Sequence, residues 1–152
     1  DDTPLADVLP TIFNKYPVRY RDYTLRELCQ EMHSLYVSFD VKDLQKAMFR
    51  QESLPAVAMN PQDANSAFIR GDVELVRISE AAGRIAAEGA LPYPPGVLCV
   101  VPGEVWGGAV QQYFLALEEG VNLLPGFSPE LQGVYSETDA DGIKRLYGYV
   151  VK

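Results

Sequence analysis

The sequence predicts an α+β fold, in which several helices pack on one side of a small mixed or antiparallel sheet that ends in a C-terminal β-hairpin. In the first half, apolar residues recur every three or four positions, as in amphipathic helices. After Gly71 they alternate or form short runs, as in strands. The turn sequence from Asp139 to Gly142 separates two such segments and indicates a hairpin. Helices followed by short strands are typical of the α+β class.

Two helices are predicted at the start of the chain. Apolar residues with helical spacing predict the first over residues 4–14, although Pro10 lies near its middle. The second begins at Thr24, which has the spacing of a capping box with Glu27. Its apolar stripe comprises Leu25, Leu28, Met32, Leu35 and Tyr36.

Two further helices are expected before Gly71. Asp40 is the expected N-cap of a helix that carries Leu44, Ala47 and Met48. A short apolar strand at residues 56–59 follows it. Asn60 then precedes Pro61 at the first helical position, and the helix runs to Arg70, where Gly71 ends it.

The second half alternates between strands, turns and one long helix. The elements predicted in chain order are a strand at residues 75–78, a turn at 79–83, an extended segment at 84–88, a buried strand at 97–101, a helix from about 105 to 119 with Gly120 as its cap, and hairpin strands at 134–137 and 143–151.

A stiff segment precedes the predicted strand at residues 97–101. Pro92, Pro94 and Pro95 each fix φ and favour extended conformations in the preceding residue, so the segment is expected to be an exposed ledge. Tyr93 lies on this ledge. Rigid loops of this kind present side chains to ligands at little ordering entropy, although an aromatic ring packed on proline rings is the alternative interpretation.

Length and charge limit the classes of function. With 152 residues, the chain is expected to form a single domain that buries roughly two thirds of its unfolded surface. Its net charge of -8 argues against nucleic acid and against an anionic membrane surface as partners. No apolar run has the length of a membrane span, and we expect a cytoplasmic protein. Cys29 and Cys99 lack metal-ligand spacing and are expected to be buried, reduced thiols.

The sequence lacks a self-contained catalytic motif. It has no nucleophile elbow, dinucleotide-binding glycines or phosphate-binding loop, and its one histidine, His33, is expected to be a packing or surface residue. The adjacent acids Glu118 and Glu119 are expected to be solvated at a helix end. Glu104 follows Pro102 and Gly103, where it either caps the start of the tryptophan helix or directs a carboxylate towards a cationic ligand.

Several motifs resemble a known family. ALPYPPGVLCVVPGE at residues 90–104, GRIAAE at 83–88, ALEEG at 116–120 and PELQGVY at 129–135 are similar to the C-terminal domain of bacterial pyridoxal-phosphate-dependent ornithine, lysine and arginine decarboxylases. The resemblance covers essentially the whole chain. LPGFSPELQGVYSETDADG at 124–142 and RELCQEMHSLY at 26–36 are most similar to the ornithine-specific members.

This resemblance implies that the chain is the C-terminal domain of a larger decarboxylase. In that family, a lysine within a Ser-x-His-Lys arrangement of the central domain binds pyridoxal phosphate, whose ring is the electron sink for decarboxylation. None of the lysines of this chain has that arrangement, and its start at Asp1 without methionine suggests a fragment. We therefore expect that the chain alone binds no pyridoxal phosphate and no metal, and is inactive. The complete enzyme would convert L-ornithine to putrescine.

The resemblance also implies a place and partners for the domain. Tyr93 is expected to line the substrate channel, held by Pro94, Pro95 and Gly96, and Glu104 is a weaker candidate for the same channel. The partners implied are the catalytic core of the same polypeptide, L-ornithine, and a second copy in a homodimer or higher oligomer. A lysine or arginine decarboxylase domain, and a non-catalytic module that binds polyamines through its acidic surface, are the alternatives.

Overall fold

The computed structural model describes residues 1–94 and 96–152, and it confirms the α+β class. The helices are α1 (Leu5–Val8), α2 (Pro10–Lys15), α3 (Leu25–Ser38), α4 (Val41–Ala47), α5 (Pro61–Arg70) and α6 (Gly108–Leu123). The strands are β1 (Val73–Arg77), β2 (Leu91–Tyr93), β3 (Glu130–Gln132), β4 (Tyr135–Thr138) and β5 (Lys144–Val151). None of the helices in the described ranges is long and apolar enough to cross a bilayer.

The first predicted helix is interrupted. Leu9 has φ -130° and ψ 60°, which is not helical, and it separates α1 from α2. Pro10 causes the interruption, because it donates no hydrogen bond and its ring collides with the carbonyl of the residue four positions earlier. At the first position of α2 the same proline is tolerated. The prediction of one helix over residues 4–14 was therefore wrong.

The capping box of α3 is confirmed. Thr24 Oγ1 accepts a hydrogen bond from the Glu27 amide at 3.3 Å, and Glu27 Oε2 accepts one from the Thr24 amide at 2.8 Å. The bonds that the Thr24 amide and the Thr24 hydroxyl donate to the carboxylate lower the pKa of Glu27. Residues of the predicted stripe belong to a second core cluster beside the main one, built on the buried side chains of Leu5, Tyr20, Leu28, Leu35 and Leu124.

The next two helices differ in how they begin. Asp40 has φ 50°, in the left-handed region, and its side chain makes no capping hydrogen bond to α4, so the predicted Asp40 cap was wrong. A capping side chain needs extended dihedrals, whereas Asp40 reverses the chain directly after α3. Asn60 does cap α5: its Oδ1 accepts from the Gln62 amide at 2.9 Å, and Gly71 ends the helix with φ 79°.

Two predicted strands are absent from the described part of the chain. In the segment 56–59, Val57 makes a single bridge to Glu104, and 72% of its surface is exposed. In the run 97–101, only Val100 is bridged, to Ala90, while Val97 and Leu98 are exposed. In the described residues no partner strand extends along the run, and Pro102, which has no amide hydrogen, follows it directly.

The predicted hairpin is confirmed within a three-stranded antiparallel sheet of order β1-β5-β4. Strand β5 pairs with β1 from Val73↔Val151 to Arg77↔Tyr147, and with β4 from Tyr135↔Tyr147 to Thr138↔Lys144. The predicted strand at residues 75–78 is shifted, because Ile78 already begins a 3₁₀ turn. The sheet, α6 and the buried segment around Ala86 form the main core.

Helix α6 both begins and ends later in the chain than predicted. It covers Gly108–Leu123 instead of 105–119, with Gly120 inside the helix, so the predicted Gly120 cap was wrong. A Cβ at Gly120 would be 3.5 Å from Leu35 Cδ2, which shows that α3 packs closely at this position. Trp106 precedes the helix and packs edge-on against Phe114, at 5.4 Å between ring centroids.

Beyond the end of β1, side chains of α6 form hydrogen bonds with the backbone of β5 in place of a neighbouring strand. Glu118 Oε2 accepts from the Leu146 amide at 2.6 Å. One turn later, Asn122 donates to the Lys144 carbonyl and accepts from the Lys144 amide, both at 2.9 Å. Glu118 is 6% exposed, so the prediction that it is solvated was wrong.

The two cysteines lie in different environments. Cys99 is buried, which raises the pKa of its thiol to about 11, but Cys29 is exposed on α3, against expectation. Because the thiolate is the reactive species, we expect one thiol per chain to react with Ellman's reagent at pH 8 in the native state and two in guanidinium chloride. Rapid native labelling of a Cys29→Ser variant would contradict this assignment.

Candidate functional site

The stiff segment around Tyr93 belongs to a two-stranded antiparallel ribbon. Strand β2 pairs with β3 in the register Leu91↔Gln132, Pro92↔Leu131 and Tyr93↔Glu130. Pro92 is buried and Leu131 packs against the main core, so this pair faces inward. Because side chains alternate along a strand, Tyr93 and Glu130 lie on the outer face, where 53% of the Tyr93 surface is exposed.

Gly96 supports the Tyr93 ring. Its φ of 79° is in the left-handed region, and its amide donates to the Pro92 carbonyl at 3.2 Å. A Cβ at this position would be 3.1 Å from Tyr93 Cδ2, so the ring lies directly over the glycine. Pro94 is exposed, and Pro95 lies outside the described residues. Of the residues expected to hold Tyr93, Gly96 therefore lies next to its ring.

The Glu104 side chain forms a hydrogen bond within its own turn. Its Oε2 accepts from the Val101 amide at 2.7 Å and closes a turn over Val101 to Glu104. In this turn, Gly103 approaches the Met59 carbonyl so closely that a Cβ would be 2.2 Å from the oxygen. The predicted place of Glu104 at the start of the tryptophan helix was wrong, because α6 begins at Gly108.

A groove of about 470 Å³ lies between the ribbon and the helices. Pro92 and Pro94 form one wall, and residues of α3, α4 and α6 form the other. Tyr113 lies at its base, where its hydroxyl accepts from Gln45 Nε2 at 3.2 Å. Burial raises the pKa of the Tyr113 phenol, so this group is neutral at physiological pH.

A second depression, of about 660 Å³, follows the exposed side of α3 and includes Cys29 and His33. Its residues lie on the solvent side of the helix and share no member with the groove beside Pro94. Residues 1–94 and 96–152 contain no group of three or more histidine, cysteine or acidic side chains placed to hold a metal ion.

The lysines do not suit a Schiff-base coenzyme. All of them are exposed, namely Lys15, Lys42, Lys46, Lys144 and Lys152. A lysine that forms a Schiff base needs a desolvated pocket in which its amine is kept partly neutral. The residues of this chain therefore do not fit the attachment of pyridoxal phosphate.

The sequence singles out Tyr93 as a candidate residue, but it did not indicate that Glu130 lies opposite it. The rigidity of the Tyr93 segment is local, since it follows from neighbouring prolines. The position of Glu130 depends instead on pairing between segments far apart in the chain. The alternation in PELQ, between Pro129 and Gly133, was the available signal for β3.

Comparison with known proteins relates this chain to amino-acid decarboxylases. A family described as "Orn/Lys/Arg decarboxylase, C-terminal domain" matches residues 42–152. The chain is 87% identical over 152 residues to the constitutive ornithine decarboxylase of Escherichia coli K12, of which it covers 21%. It is 68% identical over 151 residues, 99% of its length, to the inducible ornithine decarboxylase of the same strain, of which it covers 20%.

The fold matches as well. Lysine decarboxylase A from Pseudomonas aeruginosa is similar over 99% of this chain and 20% of its own, with a TM-score of 0.88 and 32% sequence identity. The chain thus spans about a fifth of the length of the curated relatives that it matches.

Proposed function

Because this chain belongs to the family of Orn/Lys/Arg decarboxylase C-terminal domains, we propose that it is the C-terminal domain of an enzyme that decarboxylates L-ornithine. In this reaction, the carboxylate leaves as carbon dioxide and a proton takes its place, which gives putrescine. The observation that carries the proposal is the 87% identity to a constitutive ornithine decarboxylase over all 152 residues. The lysine decarboxylases are more distant, at 35% identity for the relative from P. aeruginosa, which favours ornithine.

The coenzyme that we propose for the whole enzyme is pyridoxal phosphate, bound by the part of the polypeptide outside this chain. The exposure of every lysine described above supports this division. We accordingly propose that the 152-residue chain alone neither binds the coenzyme nor releases carbon dioxide from ornithine.

The proposed contribution of this domain is to the entrance of the active site. Tyr93 suits such a place because its ring is half-exposed, yet fixed by β2 and by the contact with Gly96. Pro94 and Gly96 would form the same edge. Glu104 is the weaker candidate for the entrance, since its carboxylate already accepts a hydrogen bond within the turn at Val101.

We also propose that the exposed apolar surface next to Tyr93 packs against the catalytic core, and that the enzyme is a homodimer or higher oligomer. Val97 and Leu98 are 49% and 46% exposed and follow the ribbon directly. Neighbouring exposed apolar residues of this kind mark interaction surfaces in folded proteins.

Substitution of Tyr93 in the full-length enzyme tests the proposed function. We expect Tyr93→Ala to raise the KM for L-ornithine by about tenfold with little change in kcat, because a positioning contact worth about 1.4 kcal/mol is lost before chemistry begins. Release of carbon dioxide from carboxyl-labelled ornithine measures both constants. Tyr135→Ala, at a tyrosine that is 41% exposed on the other sheet, is the matched control.

Two results would contradict the proposal. If KM and kcat are unchanged in Tyr93→Ala while assembly weakens in size-exclusion chromatography, Tyr93 belongs to an interface and not to the entrance. If the unmodified enzyme has a higher kcat/KM for lysine or arginine than for ornithine, the proposed substrate is wrong.

A further inference from the structure

The outer face of the β2–β3 ribbon brings an aromatic ring and a carboxylate together. Tyr93 and Glu130 are directly opposite in the antiparallel register. Side chains in such pairs project to the same side, with Cβ atoms about 5 Å apart. Both residues are exposed, and Tyr93 is held on its inner side by Gly96. More than half of the Tyr93 surface, 53%, is thus open to solvent on the strand face that also carries Glu130.

Glu130 carries a charge that the domain does not neutralise. Its Oε1 accepts from Gln132 Nε2 at 3.3 Å, a weak bond from a neutral donor on the same strand. Within residues 1–94 and 96–152, no lysine or arginine nitrogen lies within salt-bridge distance of Glu130. Other acids differ: Glu31 pairs with Arg19, and Glu74 with Arg84. The Glu130 carboxylate is thus available for an external cation.

An aromatic face next to a carboxylate is a suitable receptor for an ammonium group. The ring attracts a cation through its quadrupole, and the carboxylate accepts hydrogen bonds from it. The net charge of -8 also raises the local concentration of cations around the domain. Neither interaction requires a coenzyme.

We propose that Tyr93 and Glu130 form a subsite for the side-chain ammonium group of the diamino acid substrate. The inference rests on the proposed function, since it places this subsite at the entrance of the decarboxylase. It adds Glu130 as the residue that would hold the second ammonium group of the substrate, the one outside the reacting centre. The carboxylate acts on substrate capture and takes no part in the bond breaking.

Glu130→Gln in the full-length enzyme tests the subsite, because it removes the charge and retains the shape. We expect KM for L-ornithine to rise about threefold with kcat unchanged, the range of an exposed ion pair. Inhibition by putrescine should weaken by a similar factor, whereas inhibition by n-butylamine should change less, since it lacks the second ammonium group. The differences should shrink at 1 M salt, where the screening length is about 3 Å.

Glu137→Gln is the matched control, because Glu137 is an exposed carboxylate on β4 of the other sheet. An equal rise in KM for this variant would overturn the subsite in favour of general attraction by the net charge. Non-additive effects of Glu130→Gln and Tyr93→Ala in the double variant support direct cooperation of the two residues.

The outcomes separate this inference from the function on which it rests. If Tyr93→Ala raises KM and Glu130→Gln does not, the proposed subsite is wrong, whereas the proposal that Tyr93 lies at the active-site entrance still stands. If neither variant changes KM, kcat or inhibition, both proposals fail. If Glu130→Gln lowers kcat as much as kcat/KM, the residue acts in the chemical step and the capture role is wrong.

Discussion

Gly133→Ala is expected to lower the free energy of unfolding of the 152-residue chain by about 3 to 5 kcal/mol, because it combines left-handed strain with backbone overlap. Gly133 has φ 74°, and a Cβ there would be 1.9 Å from the Gly89 carbonyl oxygen and 2.8 Å from its carbon. Both colliding groups are backbone, so rotation of a side chain cannot relieve the overlap. The chain at Gly89, which precedes β2, and the link from β3 to β4 would have to separate.

Guanidinium chloride unfolding, followed by the fluorescence of the only tryptophan, Trp106, measures this effect. Gly142→Ala is the matched control. Gly142 also has positive φ, at 80°, but a Cβ there would have no neighbour within 4 Å. We expect this control to lower the free energy of unfolding by only about 1 to 2 kcal/mol, which is the effect of the left-handed conformation alone. Equal losses in the two variants would show that the close approach to Gly89 is unimportant.

Glu118→Ala is the second substitution with a large expected effect, a loss of about 3 kcal/mol in the free energy of unfolding. The truncation removes the acceptor of the Leu146 amide, which then lies buried without a partner. It also removes one of the acids beside Arg145, whose Nη1 is 3.8 Å from Glu118 Oε1. Arg145 keeps Asp139 at 3.1 Å, so its own charge stays compensated.

Two controls separate the hydrogen bond from the charge. Glu118→Gln retains an oxygen that accepts from the Leu146 amide, and we expect it to cost about 1 kcal/mol. Glu119→Ala changes the adjacent, more exposed acid and should be nearly neutral. If Glu118→Ala destabilises the protein no more than Glu119→Ala, the hydrogen bond from the Leu146 amide to the Glu118 carboxylate does not stabilise β5.

Local patterns predicted the elements whose determinants lie close together in the chain. The capping box at Thr24, the Asn60 cap with Pro61, and the hairpin turn at Asp139 each depend on residues within one turn, and the structure has all three. Pro10 is a local signal as well, since the chain begins a new helix there and does not continue α1. A proline inside a short helical pattern favours a new helix start over continuation.

Several of the wrong predictions concern contacts between segments that are distant in the chain. Burial of Glu118 depends on where β1 leaves the edge of β5, and Gly120 lies inside α6, next to Leu35 of α3. The apolar run at 97–101 has the composition of a buried strand, yet no partner strand extends along it in the described residues. For the candidate site, Tyr93 was predictable from its prolines, whereas Glu130 required the β2–β3 register.

The arrangement of β5 has a consequence for the order of folding. This strand follows every other helix and strand in the described chain, yet it lies at the centre of its sheet, between β1 and β4. Neither the pairing with β1 nor the bonds to Glu118 and Asn122 exist before β5 is in place. Since long loops must close before such contacts form, the sheet is expected to assemble after the helices, in the rate-limiting step.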